Sequence, residues 1–281
     1  MPNNNTITYA SKFSPLVDEA FAKAAYTASL INNAYDFIGV DTVTVYSVPT
    51  VAMGDYTLTG TSRYGTPTDL TNDTQTLTLT KDRAFTFIID KKSEQDTMGV
   101  MDASKALARQ IRDVVIPEVD IYRLAALNAG AQTVETTPIT KNNAYEEFLK
   151  VNGGIDDKEA PVGGRVVVVT PSYYNKIKLD PSFTHNGDAA TAISRTGYVG
   201  DIDGTPVIKV PSNRLATGVD FIITNPIALV SPVKLAEYKI HDNAPGISGF
   251  LVEGRVRYDA FVLNNKATAI GVHRAAAQGN G

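Results

Sequence analysis

Cysteine and tryptophan are absent from the 281 residues, and histidine occurs only at His185, His241 and His273. Without cysteine there is no disulfide and no thiolate centre in any compartment. The histidines form no i, i+4 pair and have no cysteine to complete a zinc set, so no metal site is expected. No apolar run approaches the roughly 18 residues of a membrane span, and MPNNNTITYASKF lacks a basic stretch leading into an apolar one. Neither a membrane partner nor a signal peptide is expected. Strong positive charge is missing too: the formal net charge is −4 with no basic block, which excludes tight, counterion-driven binding of nucleic acid.

Chemical motifs are equally scarce. There is no P-loop and no GxSxG elbow; Gly197, Gly200 and Gly204 are spaced like a phosphate loop but lead into a strand, so no helix N-terminus faces an anion. Asp201-Ile202-Asp203-Gly204 lacks the remaining ligands of a calcium loop and reads as a hairpin turn. The expectation is no catalytic residue, no cofactor and no metal.

What is present is a folded chain, 43% hydrophobic, large enough for one sizeable core or two smaller ones. Its longest pattern runs from Thr97 to Gly130. Val100, Leu107, Ala108, Ile111, Val114, Val115, Val119, Tyr122 and Ala126 recur at helical spacing, while Asp102, Lys105, Arg109, Arg112, Asp113 and Arg123 lie elsewhere. Asp96 is the expected N-cap and Gly130 the left-handed C-terminal stop. The 34 residues would span roughly 50 Å. Pro117 predicts a kink, with two abutting helices as the alternative. Lys105, Arg109 and Arg112 make a basic strip, either a solvated face or a contact for a partner's carboxylates or packaged nucleic acid.

Ser14 and Pro15 open a helix through about Asn32, whose stripe of Leu16, Val17, Ala20, Phe21, Ala24, Ala25 and Ala28 needs a surface on this chain or on a neighbour. Asp41 to Val48 reads as a strand. Residues 49–73 are a glycine-punctuated excursion, and 74–80 and 85–89 alternate as strands, so that 49–92 reads as one extended hairpin. A hairpin of that length needs support from elsewhere. KNNAYEEFLKVNGG predicts a helix ending at Gly153 and Gly154; RVVVV a strand buried on both faces; Thr170-Pro171 a capped helix through about Leu179. Residues 183–192 read as a surface loop leading into a short helix. Short strands follow at 221–224, 228–230 and 235–240, and 250–263 alternates, with Glu253, Arg255, Arg257 and Asp259 outward. Asn264-Asn265-Lys266 turns the chain into a last strand, ATAIGVH.

Taken in order, the arm helix, a hairpin ending in TLTKDRAFTFIID, a helix with ARQIRDVVIPEVDIYRLA, a mixed region with GYVGDIDGTPVIKVPS and a closing RVRYDAFVLNNKATAIGV together resemble the major capsid protein of tailed bacteriophages, of the Hong Kong ninety-seven type. The resemblance implies an α+β capsid fold. Residues 1–35 would be the N-arm, 49–92 the E-loop, and 140–245 the axial domain. Residues 36–48, 93–139 and 246–281 would form the peripheral domain, with 97–130 as its spine helix. It implies a virion protein, assembled in the host bacterial cytoplasm, that forms hexamers and pentamers with itself and contacts packaged DNA weakly. Met1 lies close to the arm helix, so no long leader is expected, and the implied further partners are a separate scaffolding protein, unless assembly is unaided, and a portal protein. Phe13, Leu16 and Phe21 of the arm and Tyr56, Arg63 and Tyr64 of the loop are the expected contacts between subunits. Some shells of this type join a loop lysine to a neighbour's asparagine; residues 49–80 hold no lysine, and Arg63 is their only cation.

Two rival readings differ in class. An encapsulin shell shares this fold and encloses cargo enzymes. A soluble enzyme would use acidic pairs such as Asp156 and Asp157 or Asp18 and Glu19, although adjacent acids more often mark loops and helix starts.

Overall fold

The computed structural model describes residues 25–35, 42–67, 69–96, 102–184, 200–242 and 244–275. A short helix, α1 (Lys91–Asp96), precedes the long one, which runs unbroken through α2 (Ala103–Gln110), a π-helical turn (Ile111–Val115) and α3 (Ile116–Gly130). Its cap is Asp102, whose carboxylate accepts the Lys105 N–H at 2.9 Å. Asp96, expected in that role, ends α1 instead. Gly130 is not a left-handed stop either: Ala131 follows in extended conformation, and a Cβ at Gly130 would sit 2.7 Å from Val262, so glycine serves close packing.

Pro117 neither splits the helix nor ends it. The turn before it is widened, with the Ile116 N–H reaching back to the Ile111 carbonyl, which takes up the register change that a residue without an N–H imposes. One extra residue in a turn rotates everything downstream by about 100°. The straight stripe read from the sequence is wrong in part: Ala108, before the widened turn, and Val114, within it, are exposed, while Leu124 and Leu127, after it, are fully buried.

The first strands are β1 (Thr42–Ser47), β2 (Asp73–Thr78), β3 (Lys81–Asp90), β4 (Thr133–Glu135), β5 (Val166–Val169), β6 (Asp201–Ile202) and β7 (Thr205–Lys209). After them come β8 (Val219–Thr224), β9 (Leu229–Val230), β10 (Val233–Asp242), β11 (Gly249–Tyr258), β12 (Phe261–Val262) and β13 (Ile270–Arg274). Six strands in the order β4-β13-β8-β5-β7-β6 form a mixed sheet. With α4 (Ala144–Asp156), α5 (Pro171–Leu179) and the end of α3 it builds the main core, around Phe148, Tyr173, Val168, Phe221, Ile222 and Val272. Each such side chain contributes about 1.5–3 kcal/mol through burial. Thr170 caps α5 by accepting the Tyr173 N–H at 3.2 Å, with Pro171 in the first turn, as expected.

The second sheet is antiparallel, in the order β10-β11-β3. Ile89, Val252, Val256 and Tyr258 point inward and pack on Ala103, Leu107, Val115, Val119 and Tyr122 of the long helix. Gly254 lies in the middle of that face because Phe85 and Tyr238 fold over it, and a Cβ there would come within 2.4 Å of the Phe85 ring.

Strand pairing also corrects the expected segmentation. The hairpin is not 49–92: its arms are β1 and β2, and β3 leaves it to pair with β11 along its whole length. Within 140–245, β10 joins the second sheet; within 246–281, β13 is inserted in the first. The long alternation of 250–263 breaks at Asp259, which turns inward. Helix α4 continues past Gly153 and Gly154, since Gly154 lets it approach Thr133, where a Cβ would sit at 2.8 Å. The expected arm helix does not reach Asn32: Ala28–Leu30 is a single 3-10 turn, and the rest of that expectation, in residues 1–24, lies outside the described residues, as do 185–199. The last strand starts three residues late, after a 3-10 segment, Asn264–Ala269.

Candidate functional site

The hairpin β1–β2 is one ribbon with two unlike ends. Its base is packed: Val45, Leu77 and Leu79 are buried against Val230 and Leu263, with Tyr35, Val43 and Phe261 around them. Gln75 fastens β2 at both ends of its amide, donating to the Val262 carbonyl at 2.9 Å and accepting the Asn264 N–H at 2.9 Å. Asp259 does the same for the return of the chain. Its buried carboxylate accepts the Thr80 N–H and hydroxyl, both at 2.8 Å, the Tyr122 hydroxyl at 2.9 Å and the Ala260 N–H at 2.8 Å. Burial, reinforced by that carboxylate, raises the Tyr122 pKa, so the phenol stays a donor.

Residues 48–72 lead away from this base, and their apolar side chains face solvent. Met53 is 99% exposed, Tyr64 93% and Leu58 82%; Val48, Val51, Tyr56 and Leu70 are exposed as well. The tip nonetheless has a shape of its own. The Thr57 N–H donates to the Arg63 carbonyl at 3.1 Å, the Ser62 hydroxyl to the Gly65 carbonyl at 2.8 Å, and the Arg63 Nε to the Gly60 carbonyl at 3.3 Å. Gly60 and Gly65 supply the left-handed backbone these turns require, at φ 94° and 86°. Tyr56 and Tyr64 meet edge to face with ring centroids 5.0 Å apart. This preformed head carries its apolar groups into water, the character that exposed interaction surfaces have.

A second fastening holds the chain where it enters the body at residues 25–32. Asp120 of α3 is fully buried and accepts the Tyr26 N–H at 3.0 Å, the Thr27 N–H at 3.4 Å, the Thr27 hydroxyl and the Arg214 guanidinium. Arg123, one turn on, donates to the Ser231 hydroxyl at 2.8 Å and to Thr27 Oγ1 at 3.1 Å; burial lowers its pKa and Asp120 opposes that. Asn32 then pairs its N–H with the Leu229 carbonyl at 2.7 Å.

Of the expected contact residues, the structure brings Tyr56, Arg63 and Tyr64 together at the tip; Phe13, Leu16 and Phe21 lie outside the described residues. Sequence reasoning passed over Met53 and Leu58, though isolated large apolar residues in a polar excursion were the available signal. Asp120, Gln75 and Asp259 were missed as well. The cue for Asp120 was a carboxylate and an arginine three apart beside the apolar stripe.

The acidic pair Asp156 and Asp157 does not converge: Asp156 binds Arg165 at 2.6 Å and Asp157 is exposed beyond it, while Asp18 and Glu19 are outside the described residues. Two histidines read as solitary have carboxylate neighbours. His241 faces Glu253 on the surface at 3.2 Å, and His273, buried, sets Nδ1 against Asp220 at 3.1 Å. His273 Nε2 donates to the Thr137 carbonyl at 2.8 Å, so no ring nitrogen is left to serve a nucleophile. His185 lies outside the described residues. Among the described residues no group of three or more acidic or histidine side chains is arranged to hold a metal, and no helix is long and apolar enough to cross a membrane.

No protein-family model matches this chain, and no curated protein does. Solved structures do. A chain from Mycobacterium phage Che8 superposes with a TM-score of 0.78 at 18% identity, over 97% of this chain and 98% of that one. The capsid structure of cyanophage P-SCSP1u gives 0.69 at 14% identity over 97% and 96%, and the mature capsid of bacteriophage PhiM1 gives 0.71 at 11% over 96% and 93%. The protein therefore has, over nearly its whole length, the α+β fold of chains that build phage capsids, as the resemblance in sequence implied.

Proposed function

We propose that this chain is the structural major capsid protein of a tailed phage, a non-enzymatic subunit that assembles with itself into hexamers and pentamers of an icosahedral shell around double-stranded DNA. The observation that carries this reading is the hairpin: a base fixed by Gln75, Asp259 and a buried apolar cluster, and a preformed tip whose Met53, Leu58 and Tyr64 are exposed, with no cover among the described residues. An overlap with the next subunit supplies that cover. In this reading 48–72 is the overlapping loop, residues 1–35 are the N-arm, fastened to the body at 25–32, the long helix with β3, β10 and β11 forms the peripheral part, and the six-stranded sheet lies toward the local symmetry axis. The mild negative charge leaves packaged DNA weakly held. A scaffolding protein and a portal are the further partners, the virion is the destination, and the bacterial cytoplasm is the place of assembly.

With no lysine in 49–80, the contact is non-covalent. Negative-stain microscopy of the purified protein should show shells or capsomers, and boiling these in detergent should give one band at 30.1 kDa. A monomer at every concentration by light scattering would contradict the shell, and a ladder of linked multimers would contradict the non-covalent contact.

A further inference from the structure

We infer that two oppositely charged corners of the six-stranded layer are the two halves of one head-to-tail contact between copies of this chain, a conclusion that rests on the shell reading. The basic corner is built on Tyr174 of α5, which is 7% exposed. Lys178 places its Nζ 4.7 Å from the centre of that ring and Lys209, at the end of β7, places its own at 5.3 Å. Neither ammonium has a carboxylate partner among the described residues. Lys176, two residues from both Tyr174 and Lys178 on the same helix, lies on another face and donates to the Ile139 carbonyl at 2.9 Å. The Tyr174 hydroxyl is buried with no hydrogen-bond partner among the described residues. Like charges gathered on one ring repel, and an incoming anion removes that cost.

The acidic corner follows α4. Asp157 and Glu159 are exposed, and the cation between them is turned away: Lys158 donates to the Gln132 carbonyl at 2.7 Å and to Thr133 Oγ1 at 2.9 Å. Two carboxylates therefore project with no lysine to neutralise them. Glu159 does so from a left-handed backbone, φ 56°, which a glycine would adopt with less strain.

The corners cannot meet within one chain. Arg165, joined to Asp156, stands just before β5, whereas Val169 at the other end of β5 pairs with Lys209 and Thr170 opens the helix bearing Tyr174 and Lys178. The length of the strand, about 13 Å, separates them. Complementary surfaces at two different corners of this layer make a heterologous contact, and such a contact builds a ring where its rotation closes. The chemistry selects a second copy over nucleic acid, because the matching carboxylates are carried by this chain.

Charge reversal tests the contact. Lys178→Glu with Lys209→Glu, and separately Asp157→Lys with Glu159→Lys, should each slow assembly about tenfold at low salt, and the quadruple variant should restore the rate. Thermal melting of each subunit checks that the fold survives. If a reversal unfolds the chain, the salt dependence of wild-type assembly replaces it: slowing with salt is expected, and indifference overturns the contact. Unchanged rates in both double variants, or a quadruple variant as slow as they are, would overturn it too. A loss confined to the DNA content of otherwise normal particles would overturn it in favour of a nucleic-acid contact. A wild-type chain that never oligomerises would instead refute the shell reading itself.

Discussion

The base and the tip of the β1–β2 hairpin share one ribbon and obey opposite rules. At the base, Leu77 is 1% exposed and each polar group of Gln75 and Asp259 is matched, as in any protein interior. At the tip Met53 and Tyr64 are almost fully exposed, and the hydrogen bonds close the loop on itself rather than onto the body. The base serves the fold, and in the proposed shell the tip serves a partner.

Four perturbations break or sharpen that contrast. The largest effect is expected at the fastenings: Asp120→Ala removes the buried carboxylate that accepts from Arg214, Tyr26 and Thr27 and should cost the subunit about 3–5 kcal/mol in urea unfolding. A loss below about 1 kcal/mol would mean that the entry of residues 25–32 is not held there. Next, Leu77→Ala should cost about 2–5 kcal/mol through lost burial and a cavity among Val45, Leu79, Val230 and Leu263 at the base. The triple variant Met53→Ser, Leu58→Ser, Tyr64→Ser should leave subunit stability within about 0.5 kcal/mol yet abolish regular shells. If it melts the subunit instead, the tip belongs to the fold.

The smallest effect is a pH dependence on the outer face of the second sheet. Arg255 binds Asp82 with contacts of 2.6 and 3.0 Å, and this hydrogen bond, more than the neighbouring charges, holds the Asp82 carboxyl below its usual pKa. A lowered folded-state pKa means stability present above the ordinary carboxylate value, about 4, and lost as pH falls through the folded value. The melting difference between wild type and Asp82→Asn should therefore be small at neutral pH and shrink further in acid. A difference that grows in acid would contradict the pairing.

Much of this architecture was legible in the sequence, and the failures share a cause. Local signals read correctly were those that depend on few residues: the Thr170-Pro171 cap, the RVVVV strand, the Asp203-Gly204 turn and the inward face of 252–258. Partner choice was not local. Nothing in TLTLTKDRAFTFIID says that β2 stays with β1 while β3 pairs with a strand 159 or more residues later. The π-helical turn shifted the phase of the long helix, so a period counted through it misplaced Val114 and overlooked Leu124. Asp259 continued an outward alternation by spacing and was turned inward by a change of direction that spacing does not encode. At the candidate site the aromatic pair and Arg63 were legible because they stand out chemically; the arrangement that fixes the base depends on side chains brought together from distant parts of the chain.

The most direct test of the account is hydroxyl-radical footprinting of the same protein as dissociated subunit and as assembled particle. Met53, Leu58 and Tyr64 should be heavily labelled in the subunit and strongly protected in the particle, with Leu77 and Leu79 protected in both. Equal labelling of the three tip residues in subunit and particle would contradict the claim that a neighbouring copy covers the tip.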